Sequence, residues 1–154
     1  MKNDTALVSI ALVFKQDNGL EWFLVKKNPD SEWEFPRTDV RTGESSVRAS
    51  IRTMAEDATI RAKVLEEVGR SGGATRVKGR LVSQRHLYYL MQYKDGGSQL
   101  LGFTAGEWVE HTKALKRLTS KRDNAMLKEA KKVLKTVDES RLVDEEEPAE
   151  SVTE

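Results

Sequence analysis

Two periods of apolar and polar positions run along this chain. Residues 6–15 (ALVSIALVFK) and 20–26 (LEWFLVK) are dense in β-branched and aromatic side chains. The QDNG between them is a turn signal, so the pair predicts a β-hairpin. After NPDS, residues 32–36 (EWEFP) predict a short extended segment at a sheet edge or loop entry, because Pro36 has no ladder donor. Residues 37–46 predict a polar loop ending in a helix cap at Ser45 or Ser46. Val47, Ile51, Met54, Ala55 and Ala58 then recur at helical spacing, predicting about three turns. That stripe is expected on the core, with Arg48, Arg52, Thr53, Glu56 and Asp57 on the other faces.

Farther along, residues 61–68 and 75–83 predict strands around a flexible GRSGG at 69–73. Residues 85–93 (RHLYYLMQY) predict an aromatic strand ended by KDGG. One or two short strands follow in 100–109, then a helical piece at 113–118. From about Ser120 a longer helix is predicted, with Met126, Leu127, Ala130, Val133, Leu134 and Val137 on one face. Strands, loop, helix, strands and helix in this order predict a mixed α/β domain with helices on a central sheet.

The chain has 154 residues, enough for one domain with a core, and no cysteine. Disulfides, thiolate metal sites and cysteine nucleophiles are therefore excluded. No apolar run approaches the roughly 20 residues a membrane span requires, and the first residues lack the pattern of a secretory signal. The expectation is a cytoplasmic protein with no membrane partner. The net charge of +1 conceals an asymmetry: residues 138–154 hold eight of the 25 acids and one of the 26 basic residues. That leaves a body, residues 1–137, of about +8, suited to a phosphorylated ligand or RNA. The acidic stretch has too few apolar residues to repay ordering and is expected to be a disordered tail.

Isolated candidates carry little chemistry. His86 and His111 have no metal-spaced partner and read as structural histidines. Tyr88, Tyr89 and Tyr93 read as strand core rather than base-stacking groups, and Ser45 and Ser46 as caps rather than nucleophiles. The nine basic residues between Lys113 and Lys135, against Asp123 and Glu129, read first as a solvated face. An RNA- or ribonucleoprotein-facing surface is the weaker expectation there.

A constellation is more specific. Trp33-Glu34-Phe35-Pro36, Gly43-Glu44-Ser45, Arg52 and Glu56-Asp57, in this order, resemble the Nudix hydrolase family. Its signature is G-x5-E-x7-R-E-U-x-E-E-x-G-U, with U a bulky apolar residue. Thr38, Glu44 and Arg52 keep the two spacings, and Met54, Glu56 and Ile60 also match. Glu107-Trp108-Val109 and the KEAKKVL of the last helix are similar to features outside the signature. The resemblance implies a Nudix-like α-β-α sandwich with a central mixed β-sheet. It also implies Mg²⁺-dependent cleavage of the pyrophosphate bond of a nucleoside diphosphate linked to another moiety, with Mn²⁺ as an alternative ion. Glu56 and Asp57 would be the metal ligands, Arg52 and Glu44 would stand beside Glu56 in the catalytic group, and Arg37 and Trp33 would bind substrate.

The departures fall on that chemistry. Thr53 stands where the signature has a metal-binding Glu, Asp57 replaces a Glu, and Thr38 and Thr59 replace the two glycines. Removing a metal-bound general base typically costs about 10²–10⁴ in rate, unless another acid such as Asp95 or Glu107 substitutes. The alternatives to a weakened hydrolase are an inactive binder or sensor of a phosphorylated ligand, and a structural, RNA-associated subunit. β-branched Thr38 is also expected to force the loop to adjust.

Overall fold

The computed structural model describes residues 5–143. Six strands form one mixed sheet: β1 Thr5–Lys15, β2 Glu21–Lys26, β3 Arg37–Asp39, β4 Ile60–Val77, β5 Arg80–Gly96 and β6 Ala105–Glu110. The order is β4-β5-β1-β2-β6, with β3 also on β1. Only β1 and β5 run parallel, in register from Thr5↔Ser83 to Phe14↔Gln92. Their crossover carries α1 (Ser46–Ala58) on one face, while α2 (His111–Arg117) and α3 (Lys121–Thr136) cover the other. Two cores result. Met54 and Ala58 of α1 pack with Val13, Phe23, Tyr89 and Met91, whereas Leu127 and Ala130 of α3 pack with Leu12, Trp22, Tyr88 and Leu90. The α-β-α sandwich expected from the sequence is present.

One edge of β1 is shared. Its first half pairs with β3, Val8↔Asp39 to Ile10↔Arg37, and its end pairs with β2 at Phe14↔Trp22. Pro36 offers only its carbonyl, which accepts from Ala11 N–H at 2.9 Å. Between the two partners the chain returns along β2, Val25 and Glu34 exchanging backbone hydrogen bonds at 2.8 and 3.0 Å.

Two local expectations are corrected. Residues 69–73 form no loop, for β4 runs through them and the turn falls at Lys78-Gly79, both at positive φ. None of Gly69, Gly72 and Gly73 has positive φ; Gly69 instead lies where a Cβ would sit 3.0 Å from the Met126 sulfur. The basic region 113–135 is divided as predicted, α2 ending at Leu118 and α3 starting from the Ser120 cap. Helix α1 is also rotated from the predicted stripe. Ala49, Ser50, Thr53, Met54 and Ala58 are buried, whereas Ile51 and Ala55 face solvent. Hydroxyl pairing permits this: Ser9 meets Ser50 at 2.6 Å and donates to the Ser46 carbonyl, and Ser46 meets the Tyr89 hydroxyl. Satisfied hydroxyls remove most of the cost of burying them.

Residues 138–143, inside the expected tail, return to the sheet. Glu139–Arg141 make a 3-10 turn, Leu142 packs on the α3-side core, and Val143 exchanges hydrogen bonds with the Gln92 side chain at 2.8 and 2.9 Å. The rest of that tail lies outside the described residues.

Candidate functional site

Between α1, β3, β5 and the segment at Gly102-Phe103 lies a cavity of about 580 Å³. Lys27, Arg37, Arg41 and Arg52 bring cations to it, and Asp39 and Asp57 bring acids. Gln84 and His86 of β5 form its far wall.

The α1 side is built locally. Ser45 caps the helix by accepting from Arg48 N–H at 3.1 Å, and Gly43 turns the preceding loop at φ 81°. This places Glu44 beside Arg52. The guanidinium grips the carboxylate at 2.8 and 3.0 Å and also donates to the Asp39 carbonyl at 3.1 Å. The Arg41 N–H adds a third bond to the carboxylate at 3.0 Å. The Arg52 contact first, and the Arg41 N–H second, hold Glu44 down to about 2. Arg52 thus lines the cavity with its fork committed to Glu44.

The expected metal ligands are placed differently from one another. Asp57 lines the cavity, but one carboxylate oxygen accepts from the Thr53 hydroxyl at 2.6 Å. The other faces Gly102, where a Cβ would stand 2.4 Å away. Leu101 and Gly102 N–H both donate to the Asp57 carbonyl, seating that segment on the helix end. Glu56 is 57% exposed, stands 4.0 Å from both Arg41 and Arg52, and does not line the cavity. Among the described residues no three His, Cys, Asp or Glu side chains cluster as a metal site. Magnesium takes six oxygens at about 2.0–2.1 Å. One acid already engaged by Thr53, with a second turned outward, does not fit a protein-built magnesium cage.

Arg37 is in the wall as expected, and Trp33 is not. Trp33 packs against the α3-side core with Lys26 and Arg117 over its ring, centroid distances 5.3 and 5.1 Å. The candidate replacement acids are likewise elsewhere: Asp95 pairs with Arg61 and Glu107 with Arg117. Thr38 lies in β3 without positive φ, so its side chain strains nothing. The substituted glycine position under tension is Thr59, at φ 54° in the left-handed C-cap of α1. Its hydroxyl bonds to Ala58 and Gln99 there.

Behind the opposite wall stand the groups that the sequence reading missed, Asp123, Tyr88 and Arg122, which support the lining residues Arg37 and His86. Arg37 donates to Asp123 at 2.6 Å, and Asp123, 1% exposed, also accepts from the Tyr88 hydroxyl at 3.2 Å. Burial opposes the Arg37 charge, but Asp123 and Glu34 outweigh it and raise the pKa. Burial, then Asp123, pushes Tyr88 up to about 12. Beside them Arg122 donates to His86 Nδ1 at 2.9 Å, which leaves Nε2–H to donate to Gln84 Oε1 at 2.9 Å. Burial, and then Arg122, lowers the His86 pKa, so the imidazole is neutral in this arrangement. The Ser120-x-x-Asp123 spacing, a helix-start signature, was the one sequence signal for this wall.

The fold is shared with solved structures. No family model matches the sequence, and no curated protein matches it. Solved structures do. The binary complex of a C. elegans Ap4A hydrolase superposes with TM-score 0.66 at 19% identity, over 84% of this chain and 98% of that one. The NUDIX domain of Shewanella oneidensis NrtR complexed with ADP ribose gives TM-score 0.67 at 20%, over 87% and 90%. The E. coli ORF135 protein gives 0.61 at 23%, over 92% and 96%. The chain therefore has the Nudix fold.

Proposed function

We propose that this Nudix-fold chain binds a phosphorylated small molecule, a nucleoside diphosphate derivative, in the cavity beside α1 and holds it without efficient hydrolysis. The observation that supports the reading is the wall itself: among the described residues Lys27, Arg37, Arg41 and Arg52 line the space with two acids, Asp39 and Asp57. Arg37 and Arg52 are held in place from behind by Asp123 and Glu44. Fixed guanidinium groups recognise phosphate oxygens with charge and paired donors. The neighbours named for ADP ribose and Ap4A have phosphorylated ligands of this class. Thr53, in place of a carboxylate, bonds to Asp57 and supplies neither charge nor a base.

In this reading Arg41 and Lys27 hold the terminal phosphates. Arg37 keeps its charge through Asp123, and the Gln84–His86 edge faces the uncharged part of the ligand. Glu44 keeps Arg52 oriented.

The second reading is a weakened hydrolase of the same ligand class, with Glu56 and Asp57 as magnesium or manganese ligands and Arg52 and Glu44 as support. The Asp57 carboxylate at the cavity wall favours it. Thermal unfolding with ADP, ADP-ribose, a dinucleoside polyphosphate and a nucleoside triphosphate separates the two. A bound ligand at a hundredfold excess over Kd stabilises by about 2.7 kcal/mol, and Arg41→Ala is expected to remove most of the shift. No shift with any ligand sinks the proposal. Product release with Mg²⁺ or Mn²⁺ that vanishes in Glu56→Gln establishes the second reading instead.

A further inference from the structure

The hairpin of β4 and β5 carries a charge pattern that the cavity does not use. From residue 68 to 94 there is no Asp or Glu, and the outer part of the hairpin carries Arg76, Lys78, Arg80 and Arg85, whereas Arg70, nearer the body, is paired with Glu67 at 2.7 Å. The described part of β1 ends at Thr5, which pairs with Ser83. Beyond it the ladder Thr75↔Val82, Arg76↔Leu81 and Val77↔Arg80, closed by Lys78-Gly79, has no third strand among the described residues. β4 is also the edge of the sheet.

One face of this ribbon is paved with small residues. Gly72 pairs with Arg85, Ala74 with Ser83 and Arg76 with Leu81, and cross-strand partners share a face. Arg76 and Arg85 therefore stand at the two ends of a bed of Gly72, Ala74 and Ser83, all exposed. Four residues of strand separate the ends, about 13 Å. The glycines are not demanded by the fold. Neither Gly72 nor Gly73 has positive φ, and a Cβ would meet nothing closer than 3.9 Å at Gly72 or 3.7 Å at Gly73. Close approach of a ligand or another backbone is one use of a glycine in a strand interior, and the space over Gly72 and Gly73 permits it.

We infer that the β4–β5 ribbon is a docking surface for the phosphate backbone of double-stranded DNA. Charge complementarity selects a polyanion. The major groove of B-form DNA, about 12 Å wide, admits a two-stranded ribbon, whereas the major groove of A-form RNA does not. Residues 69–86 contain no Phe, Trp or Tyr, so the ribbon offers no stacking platform of the kind that holds single strands. Val77 and Leu81, 48% and 66% exposed, flank the tip and supply apolar contact to the groove floor.

The test is fluorescence anisotropy of the full chain with a labelled duplex of two helical turns, titrated from about 50 to 200 mM salt. Binding in the non-specific range, Kd about 10⁻⁴–10⁻⁶ M, is expected, with a log–log salt slope near −3, about −0.9 for each phosphate neutralised. The triple variant Arg76→Ala/Lys78→Ala/Arg80→Ala should lose at least about tenfold in affinity and most of that slope. Ala74→Glu adds an acid to the bed without removing a cation, and it should also weaken binding. Lys128→Ala/Lys131→Ala/Lys132→Ala on α3 should leave binding intact. The inference is overturned if the ribbon variants bind as the parent does, or if the α3 variant alone fails. Tighter binding to single-stranded oligonucleotides, duplex RNA or anionic vesicles than to duplex DNA also overturns it. Ligand-induced stabilisation at the cavity should be unchanged in Ala74→Glu, which keeps this result separate from the cavity reading.

Discussion

Two arginines that line the cavity, Arg37 and Arg52, are each paired with a carboxylate, and the two pairs are built in opposite ways. Arg52 and Glu44 are eight positions apart, both side chains about 15% exposed, and meet because a capped helix follows a tight loop. Arg37 and Asp123 are 86 positions apart, and Asp123 is 1% exposed. The first pair is assembled by its own stretch of chain and can be lost with little effect on the rest. The second joins β3 to α3 across the sheet, so it is a structural clamp as well as a source of cavity charge. A cation at a binding wall therefore says nothing by itself about its structural importance; the burial of its partner does.

Removing the buried partner should give the largest effect. Asp123→Ala leaves Arg37 and the Tyr88 hydroxyl without their acceptor and is expected to cost about 3–5 kcal/mol in urea unfolding, the range for one member of a buried pair. A loss below about 1 kcal/mol would mean that water replaces the carboxylate and the clamp is an illusion. Arg52→Ala, at the more accessible pair, should cost no more than about 1 kcal/mol while still weakening ligand-induced stabilisation. Equal losses in the two variants would erase the contrast.

The smallest effect is in the pH dependence. Glu44 titrates near 2 in the folded chain against an ordinary value of 4.5. A depressed carboxylate pKa contributes stability fully above the ordinary value, and that contribution drains away as pH falls towards 2. Glu44→Gln should therefore flatten the fall in stability between about pH 4.5 and 2 without changing its shape near neutrality. An unchanged acid limb would show that Arg52 does not hold Glu44 in solution.

Legibility in the sequence followed the same division. The β1–β2 hairpin, the Ser45 cap and the Glu44–Arg52 spacing were readable because each depends on residues within a few positions of one another. The face of α1 was not. Periodicity placed Ile51 inwards and Thr53 outwards, but Ser9 and Tyr89 supply partners for the helix hydroxyls, so the polar face is the one that docks. The glycines at 69–73 read as a turn, although the turn needed positive φ and found it at Lys78-Gly79. Thr38 looked strained and is extended; Thr59 is the threonine held at φ 54°.

Sequence alone determined most kinds of element and their order, though not β3, which falls in what read as a polar loop. It also determined the signature spacing on α1 and the departure from it at Thr53, since these are properties of neighbouring residues. Tertiary structure decided which of those residues share a space. The parallel register of β1 with β5 carries Gln84 and His86 to the cavity, with Tyr88 buried behind them, and α3 then delivers Asp123 to Arg37. Contacts across such separations depend on sheet order and helix seating, which no local pattern encodes. That is why Asp123 went unread while Glu44 did not.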